Sequence, residues 1–169
     1  MNGSLLNDAF GHHVWATLEV LDVCARLDED QLATTVPGTF GTIIDTLRHT
    51  VGADIGYLTV FNQDGPSFED EETAGIPAMR IAMEAMTAAW ERVLATDLDP
   101  TTPVTRHRDD GSTSTAPLGI RLAQILHHGT DHRSQVCTAL TTLGIEPPEI
   151  DVWAYAWKDD RLVETEPTS

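Results

Sequence analysis

The run His127-His128-Gly129-Thr130-Asp131-His132-Arg133-Ser134-Gln135 organises the reading of this chain. On a helix, residues four apart stack one turn above the other, so His128 and His132 share a face. Two imidazoles so placed can reach one divalent cation, as the paired histidines of the metalloprotease helix do. Spacing alone is weak, and a polar helix flank with solvated histidines fits it as well. A third histidine, His49, stands far upstream on another predicted helix and adds weight. Three neutral imidazoles and an open position make a transition-metal site, with nitrogens at roughly 2.0–2.2 Å from a zinc ion.

The helix carrying this run is predicted from near Pro117 to Gly144, with Leu118, Leu122, Ile125, Val136, Leu140 and Leu143 as its apolar stripe. At 100° per residue, His128 and His132 fall within about 40° of each other. They lie on the shoulder of the stripe with Arg121, Gln124 and Gln135, whereas His127 points away into solvent. Gly129 sits in the middle of the stripe, where it lowers helix propensity; close approach of a neighbouring helix would account for it.

Three further amphipathic segments precede it. The first covers about Leu5 to Leu27, with Leu6, Phe10, Val14, Leu18, Leu21 and Ala25 on one face. The second runs from about Thr39 to Phe61 after the Pro37-Gly38 break, with Ile43, Ile44, Leu47, Val51, Ile55 and Leu58. The third begins near Pro77, a good first-turn residue, and carries Met79, Met83, Met86, Trp90 and Val93, a stripe read as core packing. A short helix near Glu149–Trp157 is expected to cap the assembly. The connections Asn62–Gly75 (acidic, turn-rich) and Asp97–Ala116 (rich in Thr, Pro and Asp) show no run of alternating strands. The economical fold is therefore all-α, a single four-helix-bundle domain over residues 1–169 with a short C-terminal capping helix.

Composition narrows the partners. Ten Lys+Arg against 27 Asp+Glu give a formal charge of −17. Such a surface repels phosphate backbones and anionic headgroups, so neither nucleic acid nor membrane is an expected partner. Solubility explains the charge; a salt-rich habitat is the other source. Residues 1–10 lack a basic region followed by an apolar run, so no secretory signal is read there, and no apolar stretch approaches membrane-spanning length. Cys24 and Cys137 stand apart without a C-x-x-C and read as reduced core thiols of a cytoplasmic protein.

Among the other polar residues, His13 lies on the flank of the first apolar stripe. It reads first as a hydrogen-bonded core histidine and second as a group facing a pocket. Arg133, close to the stripe and next to His132, has to pair with a carboxylate or carbonyls. Its role is structural first and substrate-binding second. Gln124 and Gln135 are placed to hydrogen-bond a ligating ring or a water. His49 falls among Thr42, Ala53, Gly56 and Val60, a small-residue face distinct from the large apolar one; its bland reading is solvent exposure. Two non-polar faces on one helix imply burial of both, one in the core and one against a second subunit. A homodimer is therefore expected, the competing reading being that the Trp153/Trp157 segment folds back and covers the exposed face within one chain.

The run His128-Gly-Thr-Asp-His132-Arg133-Ser-Gln135-Val136 closely resembles the H-x-x-x-H-R-G-Q signature of the DinB/YfiT-like family. Leu47-Arg48-His49 after Gly41-Thr42-Ile43 resembles that family's second-helix motif, and Asp110-Gly111 and Trp15 also fit. Ser134 stands where glycine is usual. The resemblance implies a four-helix bundle, usually dimeric, binding zinc, nickel or a similar divalent transition metal through three histidines. By position these are His49, His128 and His132.

Family members of known activity include transferases and isomerases that use low-molecular-weight thiols such as mycothiol or bacillithiol, and a metal-dependent hydrolase. An open metal position lowers the pKa of bound water or activates a thiol as thiolate. No Ser-His-Asp pattern, Walker A loop or dinucleotide fingerprint competes with this chemistry. The leading expectation is a metal-dependent thiol transferase or hydrolase. The alternative is a non-catalytic metal-binding stress-response or sensor module.

Overall fold

A computed structural model of the chain describes residues 5–61, 65–66, 72–108 and 110–165. The elements run α1 (Leu5–Cys24), α2 (Glu29–Leu32), α3 (Ile43–Thr59), α4 (Ile76–Leu94), β1 (Pro103–His107), β2 (Thr113–Pro117), α5 (Leu118–Thr142) and α6 (Val152–Trp157). Most of the acidic Asn62–Gly75 connection, and the first four residues, lie outside the described residues. No described helix is long and apolar enough to cross a membrane.

Local chemistry sets most of the helix ends. Asp28 and Gln31 form a reciprocal capping box at α2. The Thr42 hydroxyl accepts from the Asp45 amide to start α3, and Gly75 with Pro77 in the first turn starts α4. At the end of α5, Gly144 takes φ +74°. The Ile145 amide there donates to the Leu140 carbonyl and the Gly144 amide to that of Thr141, both at 3.0 Å. This is the Schellman arrangement, which a side chain with a Cβ resists.

The long helices form a closed cycle: α1 packs on α4 and α5, and α3 packs on the same two. The apolar stripes meet at the centre. Phe10, Val14 and Leu21 of α1, Leu47, Val51 and Leu58 of α3, Met79, Met83, Met86 and Trp90 of α4, and Ile125 and Leu140 of α5 are all buried. Trp90 stacks obliquely on Phe10 with ring centres 4.7 Å apart. The third-helix methionines are core, as read. Cys24 is also buried among them, and its thiol is pushed up to about 12 by desolvation.

The all-α expectation needs correction. Within the Asp97–Ala116 connection the chain forms an antiparallel hairpin, with Pro103 opposite Pro117 and His107 opposite Thr113. The turn holds Gly111 at φ +82°, and the Asp110 carboxylate accepts from the Ser112 amide at 2.9 Å. The strands run mostly exposed, so no alternation of apolar and polar residues marks them. The hairpin is fastened to α5. Arg121 donates to the Ser114 carbonyl at 2.6 Å, and the first α5 amides, of Leu118 and Gly119, donate to the Thr102 and Pro100 carbonyls. Those contacts satisfy helix-terminal donors that have no intrahelical partner.

The small-residue flank of α3 is only half-buried, with Thr42, Ala53, Gly56 and Val60 all partly exposed. Of the seventeen helix residues only Asp45 and Thr59 are more exposed than these, because α4 takes one side and α5 the other. That second face is therefore covered only in part by α4 and α5. At the C-terminal end, α6 packs on α1 through Tyr155, whose ring lies 5.4 Å from that of Trp15. Trp153 and Trp157 face outward, 68% and 61% exposed.

Candidate metal centre

His49 comes from α3, and His128 and His132 from α5. One ring nitrogen of each lies within 4.8 Å of the others. The Nε2 atoms of His49 and His128 approach to 3.0 Å. Two imidazole nitrogens at that distance share at most one proton, so at least one lone pair is directed at the space between the rings. His127, one residue away, is exposed and outside the cluster, as its helical phase requires.

Each ring is held by something other than its neighbours. The Gln135 side-chain oxygen accepts from the Phe40 backbone amide at 2.8 Å. The same oxygen lies 3.3 Å from Nδ1 of His132. It can only accept, so Nδ1 carries the His132 proton and Nε2 is left free as a ligand. Phe40 lies flat on His49, with ring centres 4.1 Å apart and planes 12° apart, and meets His132 edge-on at 5.5 Å. The Tyr57 ring stands 6.0 Å from His128. Gln135 therefore orients the His132 ring. Gln124 is exposed, and Arg121 serves the hairpin.

Electrostatics favour neutral rings. Burial, then the neighbouring His132 and His49, hold His128 down at about 4. Burial followed by His132 also lowers His49 from its ordinary value. Uncharged imidazole is the form that binds a metal ion. This donor set, three imidazoles and no thiolate, suits zinc, nickel, copper or iron better than oxygen-seeking ions.

Behind the cluster lies a buried polar chain. His13, 1% exposed, places Nε2 2.6 Å from an Asp54 carboxylate oxygen. The Arg133 guanidinium stands 3.1 Å from His13 Nδ1 and also donates to the His13 carbonyl and the Thr17 hydroxyl. Arginine only donates, so Nδ1 accepts and the His13 proton sits on Nε2, facing Asp54. His13 is thus a hydrogen-bonded core residue, and Arg133 pairs with a carbonyl, as their positions required. Gly129 makes room for the chain: a Cβ there would sit 2.7 Å from His13 Nδ1. Asp54 and Phe40 were not singled out in the sequence. A polar residue facing inward from α3 and the Gly38-Thr39-Phe40-Gly41 turn were the available signals.

His49, alone of the three, also lines a groove of about 520 Å³ together with Phe40, Asp45, Arg48 and Glu72. Arg48 is anchored by its Nε to the Ala74 carbonyl at 2.9 Å, which sets its guanidinium at the rim.

A mostly helical body carrying three convergent histidines between two helices defines the class. The chain belongs to the DinB family, whose family model matches residues 1–166. A crystal structure of a DinB-like protein from Bacillus cereus ATCC 10987, at 2.01 Å resolution, is similar in fold with a TM-score of 0.66. The two chains are 17% identical, and the match covers 86% of this chain and 95% of that one. No curated protein matches.

Proposed function

We propose that the chain is a metal-dependent enzyme of the thiol transferase or hydrolase type, with His49, His128 and His132 holding zinc or nickel. The observation that carries this reading is the convergence of three ring nitrogens, one of them, on His49, beside an open groove. A bound ion would supply Lewis acidity, lowering the pKa of a water or a thiol placed beside it.

The chain's own residues do the rest. Gln135 fixes the His132 tautomer, and Phe40 limits rotation of His49 and walls off one side from water. Arg48, paired with Asp45 at 3.5 Å, would have to exchange that partner to meet a carboxylate of a small thiol lying in the groove. Such a charge-assisted contact orients a substrate.

The test is turnover of low-molecular-weight thiols with electrophiles, and of small esters and amides, by the metal-loaded protein and by His128→Ala. Activity lost in the variant supports the enzyme. No difference across the panel returns the chain to the non-catalytic metal-binding class. The same reading includes a single domain and a two-fold homodimer. The dimer is supported by the exposed Val152, Trp153 and Trp157 on α6, since apolar patches of that kind are uncommon on monomers.

A further inference from the structure

Among the described residues, few buried side-chain polar atoms lack a hydrogen-bond partner, and two of them are Oδ1 of Asp54 and Nδ1 of His128. Their positions are complementary. Asp54 comes from α3 and is 0% exposed; His128 comes from α5, which packs directly on α3. Asp54 uses Oδ2 to accept from His13, which leaves Oδ1 as a buried acceptor with nothing to accept. Gly129, the residue after His128, abuts the His13 ring that is bonded to Asp54, so both orphan atoms belong to the same buried region between α3 and α5.

His128 directs Nε2 at His49, so as a ligand it binds through Nε2 and its proton must reside on Nδ1. That leaves a buried donor on α5 and a buried acceptor on α3 both unpaired, and burying either alone is costly. Ligating histidines commonly donate the second ring N–H to a carboxylate or carbonyl, which fixes the ring and raises its basicity. His132 already has such a partner in Gln135. We infer that Asp54 is the positioning carboxylate of the metal centre, accepting the His128 Nδ1–H through Oδ1, directly or across one water. The inference rests on the three-histidine reading proposed above.

This role also explains the chain behind it. A fully buried carboxylate needs compensation. Arg133 provides it through His13, and Gly129 leaves the space in which His13 reaches Asp54. His13, Arg133 and Gly129 would then hold Asp54 in place for His128.

The test is zinc titration of the metal-free full chain by competition with a chromophoric chelator, comparing wild type, Asp54→Asn and Asp54→Glu. Zinc-loaded wild type is examined in parallel by imidazole ¹⁵N–¹H NMR. Zinc affinity is expected to fall 10–100-fold in Asp54→Asn and to be partly restored in Asp54→Glu. A His128 Nδ1–H signal protected from solvent exchange is expected in zinc-loaded wild type. Wild-type binding with unchanged affinity in a folded Asp54→Asn overturns the role of Asp54 and leaves the metal site standing. If the variant fails to fold, a rapidly exchanging His128 Nδ1–H in zinc-loaded wild type overturns it instead. Failure of wild type to bind zinc or nickel at all defeats the metal reading itself.

Discussion

Gly129 shows how closely the site and the core are tied at the level of single residues. It lies beside His128 of the histidine cluster, yet its missing Cβ serves α1, because an added methyl would sit 2.7 Å from His13 Nδ1 and 2.9 Å from the Arg133 guanidinium. Gly129→Ala should therefore destabilise the fold by about 1–3 kcal/mol through overpacking, despite its better helix propensity, as denaturant unfolding would show. Titration supplies a second prediction. Burial is the leading cause that lowers His12, His49 and His128 from 6.5, the last to about 4. The folded state then binds fewer protons than the unfolded one. Stability is complete above about pH 6.5 and is lost as pH falls toward 4. The thermal midpoint of the metal-free protein should drop over that window, and an unchanged midpoint between pH 7 and 4.5 would contradict it. At this scale much was legible. The i, i+4 spacing marked His128 and His132, and the stripe position of Gly129 called for a close helix. Asp54 was not legible, because an acidic residue in a helix ordinarily faces water and only the position of His13 across the interface shows otherwise.

Among the elements, the four long helices were readable because each carries a sustained apolar stripe, and the burial of Met79, Met83, Met86, Trp90 and Val93 follows the spacing. The hairpin was not readable for the converse reason. Its strands are five residues long and largely exposed, so the period-two signal is absent and only Asp110-Gly111 marked a turn. What holds the hairpin is a side chain from another element, Arg121, whose guanidinium reaches the Ser114 and Val104 carbonyls. Arg121→Ala should loosen the hairpin while sparing the helices. Backbone amides of residues 103–107 and 113–117 are expected to lose exchange protection, with a global stability loss of about 1 kcal/mol. Equal loss across α1 and α4 would mean that the hairpin is part of the core cooperative unit.

For the whole molecule, the second face of α3 argues for a partner subunit; α4 and α5 pack on that helix and leave Thr42, Ala53, Gly56 and Val60 half-buried. Stripe analysis cannot tell a face buried inside one chain from a face buried between two, since both read as apolar. The proposed dimer also leans on α6, and light scattering at micromolar concentration should give twice 18.5 kDa; a monomer mass would remove it. The central claim is that His49, His128 and His132 form one metal site. Elemental analysis after reconstitution with zinc or nickel, on wild type, His132→Ala and His127→Ala, tests it most directly. One ion per chain is predicted in wild type and in His127→Ala, with binding abolished in His132→Ala. No retained ion in wild type, or equal loss in the two variants, would contradict the account.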